Sequence, residues 1–191
     1  LARPQMVDSE ITKKVKGIDL LFVLDISESM MLEDFSPNRL EVAKSIMSDF
    51  IKTRSQDKIG VVVFSGAAYS LLPLTTDYDL ILSSLAGIRT NELDTGATAI
   101  GNALAVGINR LRNSPSKTKL IVMLTDGDNT AGNIAPETAA MLAKKFHIKI
   151  YTIGVGKNGE APFGKTEQGN INWVTSTLNE KSLREIAKLS D

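Results

Sequence analysis

Three short stretches of this 191-residue chain are rich in hard oxygen donors. They are Asp25-Ile-Ser27-Glu-Ser29, Asp94-Thr95-Gly96-Ala97-Thr98 and Thr125-Asp126-Gly127-Asp128-Asn129. Two or three hydroxyls with two carboxylates suit Mg²⁺ or Mn²⁺, with Ca²⁺ as a further option, and do not suit zinc or copper. Asp25, Ser27 and Ser29 are spaced two apart, so a tight loop can aim all three at one point. Taken singly, each has an ordinary use, because Ser and Asp after a strand commonly cap the next helix or form a turn. Taken together with Thr98 and Asp126, they favour a metal site built from converging loops. Glu28, Glu33, Asp34, Glu92, Asp94 and Asp128 would ring it with negative charge, although each alone reads as a solvated loop charge.

Other chemistries find less support. The chain has no Cys, which excludes disulfides, zinc–thiolate and iron–sulfur sites and a Cys nucleophile. Its one His, His147, falls between a helix and the amino end of a strand and reads as a connector. A Ser-His-Asp hydrolase would need a Gly-x-Ser-x-Gly elbow, which is absent. Gly154-x-Gly156-x-x-Gly159 matches a dinucleotide fingerprint on paper, but Pro162, Gly164 and Gly169 prevent the helix that must follow it. The 22 Lys and Arg residues balance 22 Asp and Glu residues, which argues against a broad nucleic-acid surface. No apolar run approaches the ~20 residues of a membrane span, and no signal peptide is visible.

The elements that must position the donors alternate in type. Ile18–Leu24, Ile59–Phe64, Lys119–Leu124 and Lys149–Val155 are short apolar runs that read as strands covered on both faces. Ala68–Leu74 reads as a short edge strand, since Pro73 suits only an edge. Asn38–Ile51, Asp77–Leu85, Thr98–Leu111, Ala135–Phe146 and Glu180–Leu189 read as helices, with Asn38 and Asp77 at starts and Pro136 near a first position. The helical spacing of Leu40, Ala43, Ile46, Met47 and Phe50 would bury one helix face, and that of Ile100, Leu104, Ile108 and Leu111 another. The fold class is therefore α/β: a doubly wound, mostly parallel central sheet with helices on both faces and one short antiparallel edge strand. Ligands in such sheets bind beyond the carboxyl ends of the strands, where the strand order reverses. The long stretch 157–177 reads as a β-hairpin excursion with Gln168-Gly169-Asn170 near its turn. It carries the only Trp, Trp173, which would either anchor a partner or pack on the domain. Met30, Met31 and Phe35 would be an apolar rim to the site or ordinary core.

Asp-x-Ser-x-Ser at 25–29, Thr98 within Gly-Ala-Thr-Ala-Ile-Gly and the Thr125-Asp126-Gly127 segment resemble the metal-ion-dependent adhesion site of von Willebrand factor A domains. The resemblance implies that Ser27, Ser29 and, in one conformation, Thr98 touch the metal directly, and that Asp25 and Asp126 bind it directly or through water. It also implies an open coordination position filled by a Glu or Asp of a partner protein. Phe35–Lys44, Asp57–Gly66, Pro73–Tyr78 and Tyr151–Gly156 further resemble bacterial aerotolerance-type BatA proteins. Those are membrane proteins whose A domain lies between transmembrane helices. They are similar to partners of MoxR-type AAA+ ATPases and of other Bat-type proteins. On that resemblance, residues 1–17 are a lead-in after a membrane helix, and residues 18–191 an A domain that stops before its final strand and helix. The domain would face the periplasm from an inner-membrane anchor. The main expectation is a non-enzymatic binding module. The alternatives are a metal-dependent hydrolase using Glu28 or Asp128 as base, and a scaffold whose ion only braces the loops.

Overall fold

The computed structural model describes residues 17–90 and 97–191, so Glu92, Asp94 and most of the 1–17 lead-in lie outside the described residues. Five strands form the central sheet: β1 (Asp19–Asp25), β2 (Lys58–Phe64), β3 (Ala68–Thr75), β4 (Lys119–Thr125) and β5 (Ile148–Gly154). Their order is β3-β2-β1-β4-β5. All neighbours are parallel except β2 and β3, which run antiparallel at one edge. Pro73 lies exposed in that edge strand, where a missing N–H interrupts no ladder.

The continuous apolar runs are explained by burial on both faces. In β1, Leu21 and Val23 enter one core layer while Leu20, Phe22 and Leu24 enter the other. Helices α1 (Arg39–Lys52) and α2 (Tyr78–Gly87) cover the second layer with Leu40, Met47, Ile81 and Leu85. Helices α3 (Ile100–Leu111), α4 (Pro136–Lys145) and α5 (Glu180–Leu189) cover the first. Local chemistry sets the helix starts. Asn38 accepts the Glu41 N–H at 2.9 Å, Asp77 accepts the Leu80 N–H at 3.0 Å, and Pro136 occupies the first turn of α4. His147 adopts a left-handed φ of 55° between α4 and β5, the connector role expected of it.

Two expectations need correction. Ile46 does not join the buried face of α1; it is 41% exposed, and Ile51 completes the stripe instead. Helix α3 starts at Ile100 rather than Thr98, which leaves Thr98 in the preceding loop with its side chain free of the helix.

The excursion forms a hairpin of β6 (Gly159–Lys165) and β7 (Ile171–Ser176), a two-stranded antiparallel sheet of its own. Its turn closes where expected, with the Thr166 N–H donating to the Asn170 carbonyl at 2.8 Å. Among the described residues no helix is long and apolar enough to cross a membrane. The strand order reverses between β1 and β4, and Asp25 and Asp126 stand at that crevice.

Candidate metal centre

Asp25 closes β1 fully buried. One carboxylate oxygen accepts the Ser27 N–H at 2.9 Å and the other accepts the Thr125 hydroxyl at 2.6 Å. The carboxylate thus ties the β1 loop to the end of β4 and holds Ser27 in place. A short 3-10 helix, Glu28–Met31, follows; Met30 pins it by filling the core below, while Met31 stays 38% exposed. Ser27 Oγ and Ser29 Oγ come within 3.1 Å of each other. Thr98 is held by its backbone: its N–H donates to Thr130 Oγ1 at 2.9 Å, and its carbonyl accepts from Thr130 and Ala131. Gly127 takes φ 100° to turn the chain away just after Asp126, a conformation that disfavours a side chain. Ser27, Ser29, Thr98 and Asp126 line one cleft of about 340 Å³, with Asp25 immediately behind Ser27.

The loop that holds Thr98 packs closely on α3. A Cβ added at Gly101 would lie 1.8 Å from the Ile134 carbonyl oxygen. Gly101→Ala is therefore expected to push the 130–134 segment outward and to destabilise the chain by about 1–3 kcal/mol, as overpacking does. A urea titration showing an unchanged midpoint would refute this close packing.

Arg39 is the residue that sequence reasoning missed. It is 1% exposed and fully engaged. Its Nε and Nη2 grip both oxygens of Asp34 at 2.8 and 2.7 Å, and its Nη1 donates to Asp126 Oδ2 at 3.1 Å. Nη2 also donates to Ser176 Oγ at the end of β7. Its partners Asp126 and Ser176 lie 87 and 137 residues away, so no local pattern marks it. Asp34 is accordingly no solvated loop charge. Burial alone would raise its pKa, but the Arg39 guanidinium overrides that and holds it below the ordinary value.

The other two carboxyls shift the opposite way. Burial, and then the nearby Asp126, push Asp25 up to about 7, against the pull of the Ser27 and Thr125 hydrogen bonds. Burial also raises Asp126, with Asp128 adding to it, while Ser29 and Arg39 pull it down. Asp34 and Asp126 therefore share one buried cation, while Asp25 has no cationic partner among the described residues.

The chain matches the von Willebrand factor type A domain family over residues 19–188. It belongs to that family. An uncharacterized protein of Borreliella burgdorferi is 35% identical over 161 residues, covering 84% of this chain and 47% of that protein. This A domain thus spans about half the length of the curated relatives it matches. The crystal structure of BatB from Bacteroides thetaiotaomicron superposes with a TM-score of 0.80 at 32% identity, covering 91% of this chain and 87% of that one. The crystal structure of an aerotolerance-related membrane protein from Bacteroides fragilis gives 0.79 at 33% identity, covering 91% and 88%.

The donors of this A domain fit a hard dication. Two carboxylates raised by burial and three hydroxyls make an all-oxygen set, and a further positive charge would relieve what Arg39 leaves uncompensated. No group of three or more His, Asp or Glu side chains among the described residues competes as a metal cluster. Of the ring of acids, Glu28 and Asp128 line the cleft. Asp128 is tied to the base of the hairpin, accepting from Thr177 Oγ1 at 3.0 Å and Asn179 Nδ2 at 3.3 Å. Phe35 is not a free rim residue; the Lys157 ammonium sits 4.6 Å over its ring. Trp173 is 56% exposed on β7, so it does not pack on the domain core.

Proposed function

We propose that this A domain is a divalent-cation-dependent protein-binding module of a membrane-anchored bacterial protein related to aerotolerance. Asp25, Ser27, Ser29, Thr98 and Asp126 would hold the ion, with Mg²⁺ the best fit to the donor set and Mn²⁺ or Ca²⁺ the alternatives. Bound there, the ion supplies a positive charge with one coordination position to spare, which attracts a carboxylate from a partner protein. The chain's own residues do the rest. Asp25 fixes the β1 loop, the three hydroxyls supply neutral donors, and Arg39 holds one oxygen of Asp126 at the cleft. Neutral hydroxyls matter because they fill coordination positions without adding negative charge, so the ion still attracts an incoming acid.

The observation that carries this reading is that Ser27, Ser29, Thr98 and Asp126 line one open cleft where the strand order reverses, with the buried Asp25 carboxylate bonded to the Ser27 N–H behind it. The similarity to BatB and to the aerotolerance-related membrane protein supports the cellular setting. Partners would then include other Bat-type proteins and a MoxR-type AAA+ ATPase system, with the domain on the periplasmic side of the inner membrane. Retention of a detergent-solubilised membrane partner on the immobilised chain tests the module. Wild type in Mg²⁺ is expected to retain it, and chelator, Asp126→Ala and Ser27→Ala each to release it while circular dichroism stays unchanged. Equal retention in every condition would move the binding surface away from the cleft. Phosphoester turnover that rises with added Mg²⁺ would instead establish a hydrolase.

A further inference from the structure

The hairpin carries an open strand edge that ends at the cleft. Pro162 pairs with Trp173, and Glu160 with Thr175. The Pro162 carbonyl accepts the Glu33 N–H at 2.9 Å, so it points away from β7, and proline has no N–H to offer. The Pro162–Trp173 pair is therefore of the non-hydrogen-bonded kind, and in an antiparallel ladder such pairs recur every second residue. Trp173 and Thr175 accordingly turn their backbone N–H and C=O groups outward, away from β6. Among the described residues β7 pairs with β6 alone, and no backbone group meets that outer edge. Natural proteins rarely leave such an edge bare beside an exposed aromatic, because it templates pairing with another chain.

The position of this edge says what it takes. Ile171, Trp173 and Thr175 share one face of β7, while Val174 and Ser176 face inward. Thr175, Ser176 and Thr177 line the same cleft as Ser27, Ser29, Thr98 and Asp126. Trp173 stands two residues before Thr175, roughly 7 Å along the strand. The base of the hairpin is fixed to the cleft by Arg39 on Ser176 and by Thr177 on Asp128.

We propose that the outer edge of β7 is a strand-addition site for an extended segment of a partner protein, in which an Asp or Glu enters the cleft beside Thr175 and an apolar side chain two residues away lies on Trp173. This rests on the metal-capture reading above and deepens it by naming the partner's conformation and its acidic–x–apolar pattern. The period follows from the strand: only side chains two apart share a face. Main-chain hydrogen bonds supply affinity, and the metal and Trp173 supply selectivity.

Two labelled octapeptides of the same composition on a Thr-Val background test this by fluorescence anisotropy with the whole chain in Mg²⁺. One carries Glu and Leu two residues apart, and the other carries them adjacent. The first is expected to bind about tenfold more tightly, and Trp173→Ala to abolish that preference. Thr175→Pro removes the outward N–H and leaves the β6 ladder intact, and is expected to bind about tenfold more weakly than Thr175→Val, which also loses the hydroxyl bond to Glu160 but keeps the N–H. Equal binding of both peptides, or wild-type affinity in Trp173→Ala and Thr175→Pro, overturns strand addition. If that equal binding still vanishes in chelator, metal capture stands without it. If binding depends on Trp173 and the Thr175 N–H but survives chelator, the strand site stands and metal capture falls. No binding of either peptide overturns the proposal.

Discussion

Arg39→Met is expected to destabilise the chain by about 3–5 kcal/mol, the usual result of removing one partner from a buried ion pair. Asp34 and Asp126 would lose their shared counter-charge, and Ser176 would lose its donor. Arg39→Lys is expected to recover little of this. An ammonium cannot grip both oxygens of Asp34 and still reach Asp126, whereas the planar guanidinium does both. Urea denaturation measures the loss directly. Mg²⁺ is expected to narrow the deficit, because removing a positive charge next to Asp126 strengthens cation binding there. An Arg39→Met chain as stable as wild type would show that the hairpin and the cleft are held by other contacts.

The second large effect is the linkage of metal, protons and stability. A cation that binds only the folded chain at ~100 times its Kd raises stability by about 2.7 kcal/mol. Ser27→Ala and Asp25→Ala are expected to erase that increment, as read by thermal melts with and without Mg²⁺. An equal rise in wild type and both variants would show that the ion binds elsewhere.

The pH dependence follows from Asp25. Burial, and then the Asp126 carboxylate, push it up to about 7 in the folded, metal-free chain against an ordinary value of 3.8. Between those values the folded state holds more protons than the unfolded one. Stability of the metal-free chain therefore declines as pH rises through that window and levels off above about 7. The raised Asp126 adds in the same direction. Bound Mg²⁺ requires both carboxylates ionised, so saturating metal is expected to remove the decline, and metal affinity to fall as the pH drops below about 7. A metal-free chain whose urea midpoint is flat across this window would remove the electrostatic case for the site.

Much of this was legible in the residues. Two-sided apolar strands, helix-period stripes and the caps at Asn38 and Asp77 act over a few residues, so they can be read without knowing the fold. The same local logic located the hairpin turn near Gln168-Gly169-Asn170 and the edge strand carrying Pro73. The donor segments were visible too, because a doubly wound sheet delivers whatever follows its strands to one edge. Tertiary structure decided what depends on distant partners. It made Ile46 a surface residue, since α1 reaches the sheet along the Leu40–Ile51 stripe. It converted Asp34 from a loop charge into the main partner of a buried arginine. It also placed β7 against the cleft, through contacts that join Arg39 to Ser176 and Asp128 to Thr177. Such pairings span scores of residues, and their energy comes from burial that exists only once the sheet has closed. The residue types alone determined that this chain is a doubly wound α/β domain with oxygen donors at its strand ends. Only the folded chain determined that one buried arginine ties those donors to an exposed hairpin, because a charge can be buried only where the fold brings its counter-charges to it.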